Sequence, residues 1–127
     1  MITGTHAIIY AEDADKARAF FRDVLHCPFI DAHDGWLIFK LPPAELGVHP
    51  AGDPGDPSTG APSGHHELYL MCDDVEATVA DLTAQGVEFT SPVENLGWGL
   101  LVRLRVPGAG EIGLYQPRHP PAYDLEG

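Results

Sequence analysis

The sequence repeats itself, and that repeat limits what it can fold into more than any other feature. His6 precedes Asp13 by the same spacing at which Glu67 precedes Asp74. Gly35-Trp36 follows His6 by 29 residues, and Gly97-Trp98 follows Glu67 by 30. The stretch Glu45-Leu46-Gly47-Val48 then finds its counterpart in Glu111-Ile112-Gly113-Leu114. One such match could arise by chance, whereas four in the same order mark a duplication.

Each copy reads as strand, helix and three strands. In the first, residues 5–11 alternate as a strand does, and Asp13 is placed to cap a helix over 14–25. Ala17, Phe20, Phe21 and Val24 give that helix one apolar stripe, and Pro28 prevents its continuation. Strands follow over 29–32, 36–41 and 45–49, broken by Asp34-Gly35 and Pro42-Pro43. In the second copy, 67–72 reads as a strand and Asp74 caps a helix to about residue 85. Val75, Val79 and Leu82 form its stripe, and Gly86 stops it. Three strands over 87–90, 99–106 and 111–115 complete the copy. Residues 50–64 hold four prolines and four glycines without periodicity, which reads as a linker or mobile loop. The Pro-rich tail from residue 117 reads as loosely held.

Neither copy can bury its own sheet face and helix, so the expected fold is α+β. Two βαβββ modules, about 2–50 and 65–117, form one domain with an eight-stranded, incompletely closed curved sheet and the helices outside. Strand alternation then sorts side chains by face. Ala7, Ile9, Leu46, Val48, Leu68, Leu70, Ile112 and Leu114 face the helices. The opposite face of the first, fourth, fifth and eighth strands begins with His6, Glu45, Glu67 and Glu111.

Three carboxylates converging on one place repel one another, and burial makes their charged forms costlier still. A divalent metal resolves this most simply. One imidazole with several carboxylates suits Mn, Fe, Ni, Mg or Zn. Taken singly, a strand histidine is more often a hydrogen-bonded rim residue, and a strand-start glutamate is usually solvated. Their symmetric placement is what marks these four. His65 shares the Glu67 face and His66 would need a bulge to do so; both are alternative ligands. Gly47 and Gly113 leave room for a ligand. Around them Tyr10, Trp36, Tyr69, Trp98 and Tyr115 supply aromatic walls, His49 a proton carrier, and Arg103 an anion contact.

Composition excludes other classes. The formal net charge is −12, where nucleic acid requires a basic face, and anionic membranes are equally disfavoured. No apolar run is long enough to span a bilayer, and Glu12 and Asp13 come too early for a signal peptide, so a cytoplasmic location is expected. Cys27 and Cys72 are too few for a disulfide framework.

The segments His6 to Asp13, Phe20-Phe21-Arg22-Asp23-Val24-Leu25, Asp73-Asp74-Val75 and Gly110-Glu111-Ile112-Gly113-Leu114 resemble the vicinal oxygen chelate superfamily, which includes glyoxalases, bleomycin-resistance proteins and extradiol dioxygenases. The resemblance covers about residues 2–117. It implies metal ligands on the first, fourth, fifth and eighth strands, where His6, Glu45, Glu67 and Glu111 lie. It also implies a carboxylate, Glu67 or Glu45, as general base, and often a homodimer. The fifth-strand ligand is usually His in that family, and Glu67 departs from this. Two functions are therefore expected to compete. One is a divalent-metal-dependent enzyme that chelates a small oxygenated molecule. The other is a metal-free protein that binds or sequesters a small molecule.

Overall fold

The computed structural model describes residues 6–125. Residue 5, the expected start of the first strand, lies outside them, as does the end of the tail.

Asp13 caps α1 (Ala14–Ala19) by accepting the Lys16 amide at 3.1 Å. From Phe20 to Val24 the coil widens into a π turn, in which the Leu25 amide reaches back to the Phe20 carbonyl. The wider turn sends two adjacent side chains, Phe20 and Phe21, into the core with rings edge to face at 5.5 Å. After it, β1 (Phe29–Asp31) and β2 (Leu37–Phe39) pair as an antiparallel hairpin.

The second copy is more complete. β3 (Tyr69–Met71) leads to α2 (Val75–Ala84), capped by the Asp74 carboxylate on the Ala77 amide. Gly86, at φ 88°, closes α2 in the left-handed conformation. The Val87 amide returns to the Leu82 carbonyl and the Gly86 amide to that of Thr83. β4 (Glu94–Asn95), β5 (Gly99–Arg105) and β6 (Glu111–Pro117) follow. The sheet order is β3-β6-β5-β4, with β3 parallel to β6 and the other pairs antiparallel.

One face of this sheet carries the core. Val102, Leu104, Ile112 and Leu114 pack against Ala17, Phe20 and Phe21 of the first copy and Val75 and Leu82 of α2. The two copies therefore share one apolar interior. Fully burying a side chain of this kind contributes about 1.5–3 kcal/mol. A backbone bond from the Asp13 amide to the Gly108 carbonyl, 2.9 Å long, pins the start of α1 to the β5–β6 turn.

Two expected strands form no ladder. Residues 6–11 and 45–49 have no strand partner among the described residues. Leu46 and Val48, expected under a helix, are 88% and 86% exposed. Pro42-Pro43 removes two successive backbone donors where 45–49 would join β2. Glu45 instead engages the tail. The 87–90 strand is reduced to a bridge between Phe89 and Leu104. Residues 50–64 contain a short 3-10 turn (Pro57–Thr59). None of the described helices is long and apolar enough to cross a membrane.

Candidate functional site

The site lies on the sheet face away from the core. Register places its side chains in rows: Tyr69, Gly113 and Arg103 across β3, β6 and β5, then Met71, Tyr115 and Leu101. A carbon added at Gly113 would collide with the Tyr69 ring, and one added at Gly99 would collide with the Tyr115 ring. Each tyrosine therefore lies down over a glycine of the neighbouring strand. The room expected at Gly113 is filled by Tyr69.

Aromatic groups continue from there. The Tyr69 and Tyr115 centroids are 6.4 Å apart, Trp98 meets Tyr115 edge to face at 5.2 Å, and His49 meets Trp98 at 6.1 Å. Beneath these groups Tyr115 is only 7% exposed. Burial, then the Glu45 charge, pushes its phenol pKa up.

At the other end of the rows Glu67 meets a guanidinium. Arg103 Nη2 lies 3.7 Å from Glu67 Oε1, and its guanidinium carbon sits 5.8 Å from the Tyr69 centroid. The Tyr69 hydroxyl donates to Glu67 Oε2, and His65 Nε2 stands 3.3 Å from Glu67 Oε1. The Tyr69 hydrogen bond is the largest influence on Glu67 and lowers its pKa; His65 and Arg103 add to this against partial burial. The Tyr69 pKa is raised, chiefly by burial and next by its bond to Glu67. Burial opposes ionisation of Arg103, yet its pKa is raised by Tyr69, Glu67 and Glu111. Glu111 itself accepts the Thr90 hydroxyl at 2.6 Å.

The four expected ligands are thus dispersed. Glu67 and Glu111 both act on Arg103, whereas Glu45 accepts the Ala122 amide at 2.9 Å and lies 3.7 Å from His119. His6 and His66 are exposed. Among the described residues no three His, Cys, Asp or Glu side chains could hold a metal ion together. Of the expected pocket residues, Tyr69, Trp98, Tyr115, Arg103 and His49 lie along this face. Tyr10 is 90% exposed, and Trp36 stands at the hairpin under the Arg18 guanidinium, 5.0 Å away. Thr90 and His119 also belong to the site; Thr90 ends the expected 87–90 strand and His119 lies in the Pro-rich tail, where neither residue type marks a site by itself.

The family model for the Glyoxalase/Bleomycin resistance protein/Dioxygenase superfamily matches residues 5–108. The chain belongs to that superfamily. Solved structures agree on the fold. A superfamily member from Sphaerobacter thermophilus matches with a TM-score of 0.60 at 24% identity, covering 90% of this chain and 97% of that one. A lactoylglutathione lyase from Agrobacterium tumefaciens matches at 0.56 and 21%, covering 89% and 95%. TnmS3, an antibiotic binding protein from Streptomyces sp. CB03234, matches at 0.55 and 25%, covering 89% and 99%. No curated protein matches the sequence.

Proposed function

We propose that this superfamily member binds a planar aromatic cation on the Tyr69–Tyr115–Trp98 face and needs no metal to do so. The observation that carries the reading is Arg103. Its guanidinium stands 3.7 Å from Glu67, so the positive charge this carboxylate requires comes from a side chain of the same protein. Trp98, 43% exposed beside the Tyr115 ring, offers an apolar face for stacking. Glu67 and Glu111 outnumber the one guanidinium, and the chain as a whole is strongly acidic, which favours a cation over aromatic faces. The likeness to an antibiotic binding protein points the same way.

The test is titration with proflavine, a planar aromatic cation, followed by calorimetry with and without EDTA. Unchanged affinity in the chelator is expected, and Trp98→Ala should weaken binding about 10-fold. Binding that disappears with EDTA and returns with Mn²⁺, Ni²⁺ or Zn²⁺ would refute the metal-free reading.

A second reading keeps the metal and places it between two copies. Residues 6–11 and 45–49 carry His6 and Glu45, lack ladder partners among the described residues and expose Ile8, Tyr10, Leu46 and Val48, as segments that pair with a second chain would. Homodimerisation is part of both readings and is checked by sedimentation. A dimer that binds Ni²⁺ and loses it in His6→Ala would favour the enzyme.

A further inference from the structure

The tail, expected to be loose, is tied down at every step. The Arg118 amide donates to the Trp98 carbonyl at 3.0 Å, and Arg118 Nη1 to Asn95 Oδ1 at 2.9 Å. His119 Nδ1 lies 3.0 Å from the Pro120 carbonyl, which can only accept, so this nitrogen carries the proton. The other ring nitrogen, Nε2, then accepts the Tyr115 hydroxyl. The tail next turns through a 3-10 segment (Ala122–Asp124), whose first amide donates to Glu45 Oε1. Glu45 comes from the other copy of the repeat, on a segment with no ladder partner. Its neighbours Leu46 and Val48 are exposed, yet its own side chain is largely covered.

Beneath the tail is a cavity of about 570 Å³ at the C-terminal ends of β3 and β6. Met71, Asp73 and Pro117 form its floor and sides, and His119, Pro121 and Tyr123 of the tail its remaining wall. That volume is in the range of small-molecule sites. Through His119 the cavity adjoins Tyr115, and thus the aromatic face.

We infer that the tail from Arg118 to Leu125 is a lid latched by Glu45, which closes over a ligand entering from the aromatic face. The lid function rests on the ligand-binding reading above, whereas the latch does not. Glu45 acts as a positioning residue: its carboxylate holds the tail and leaves the ligand to the rings. The latch is one charge-assisted bond to a backbone amide, strong enough to favour closure and weak enough to open often.

Two variants remove opposite halves of the latch. Glu45→Ala deletes the acceptor. Ala122→Pro deletes the donor at the first position of a turn, where proline is tolerated. Trypsin cleavage after Arg118, followed by mass spectrometry, reads lid opening without any ligand. Cleavage about 5–10-fold faster in both variants is expected, that being the opening factor for one hydrogen bond. Proflavine should slow amide hydrogen exchange over residues 118–125 in the wild type and dissociate faster from both variants. Unchanged cleavage in both variants overturns the latch, whatever proflavine does. Proflavine that binds without slowing exchange over residues 118–125 overturns the lid. Proflavine that fails to bind overturns the lid together with the reading it rests on, while the cleavage rates still decide the latch.

Discussion

Replacing Gly113 by alanine tests the floor of the site with a single methyl group. The added carbon would occupy the space of the Tyr69 ring. That ring has no easy retreat. Tyr115 stands 6.4 Å away, the Arg103 guanidinium 5.8 Å away, and the hydroxyl is tied to Glu67. Overpacking of this kind costs about 1–3 kcal/mol. Disturbing the Tyr69–Glu67 bond adds about 1 kcal/mol, at the low end for a charged acceptor because Glu67 is partly solvated. Loss of glycine's freedom in the unfolded chain returns about 0.5–1 kcal/mol. The net loss is about 1–3.5 kcal/mol. With a urea dependence of about 1.5 kcal/mol per M, the unfolding midpoint falls by about 1–2 M. The decisive measurement is a double-mutant cycle. In a Tyr69→Ala background the Gly113→Ala change should cost nothing, because the obstructing ring is gone. Equal costs in both backgrounds would show that the ring does not lie over Gly113.

Acid stability should depend on Glu67. Its folded pKa is lowered, so it contributes stability that is present above the unfolded carboxylate value of about 4.3 and is lost as pH falls through the lower folded value. In urea titrations the stability gap between wild type and Glu67→Gln should hold steady from pH 6 to 5 and close below about pH 4; a gap indifferent to pH would contradict this. Leu104, fully buried beneath the helices, should cost about 2–5 kcal/mol as alanine, measured by thermal or urea unfolding. Asp74→Ala should cost about 1 kcal/mol by releasing the first turn of α2, read as a lowered melting temperature.

Much of the architecture was legible because local chemistry wrote it. Asp13 and Asp74 cap their helices as their spacing implies, and Gly86 closes the second helix in the conformation glycine favours. The alternation of β6 put Ile112 and Leu114 in the core as read. The π turn was not legible, because its cause is tertiary: both Phe20 and Phe21 are drawn toward one core. Residues 45–49 have strand alternation, but alternation says nothing about whether a partner exists, and Pro42-Pro43 stands at the join. At the site, sequence found Glu67 and Glu111 but looked for their counterion outside the chain. Arg103 was noted only as an anion contact, because neither the two-strand register nor the reach of a guanidinium can be read from spacing.

The linker between the two copies deserves a different description from its composition. The Gly52 amide bonds the Ala61 carbonyl, the Asp53 amide bonds the Thr59 hydroxyl, and Asp56 caps the small turn between them. The excursion therefore closes on itself, with entrance and exit side by side. Extra residues spliced near Gly55 would lengthen a spur without changing the separation of the segments it joins, at a cost that grows only slowly with length. A fluorophore or affinity handle placed there could report on the protein while leaving the shared interior and the aromatic face undisturbed.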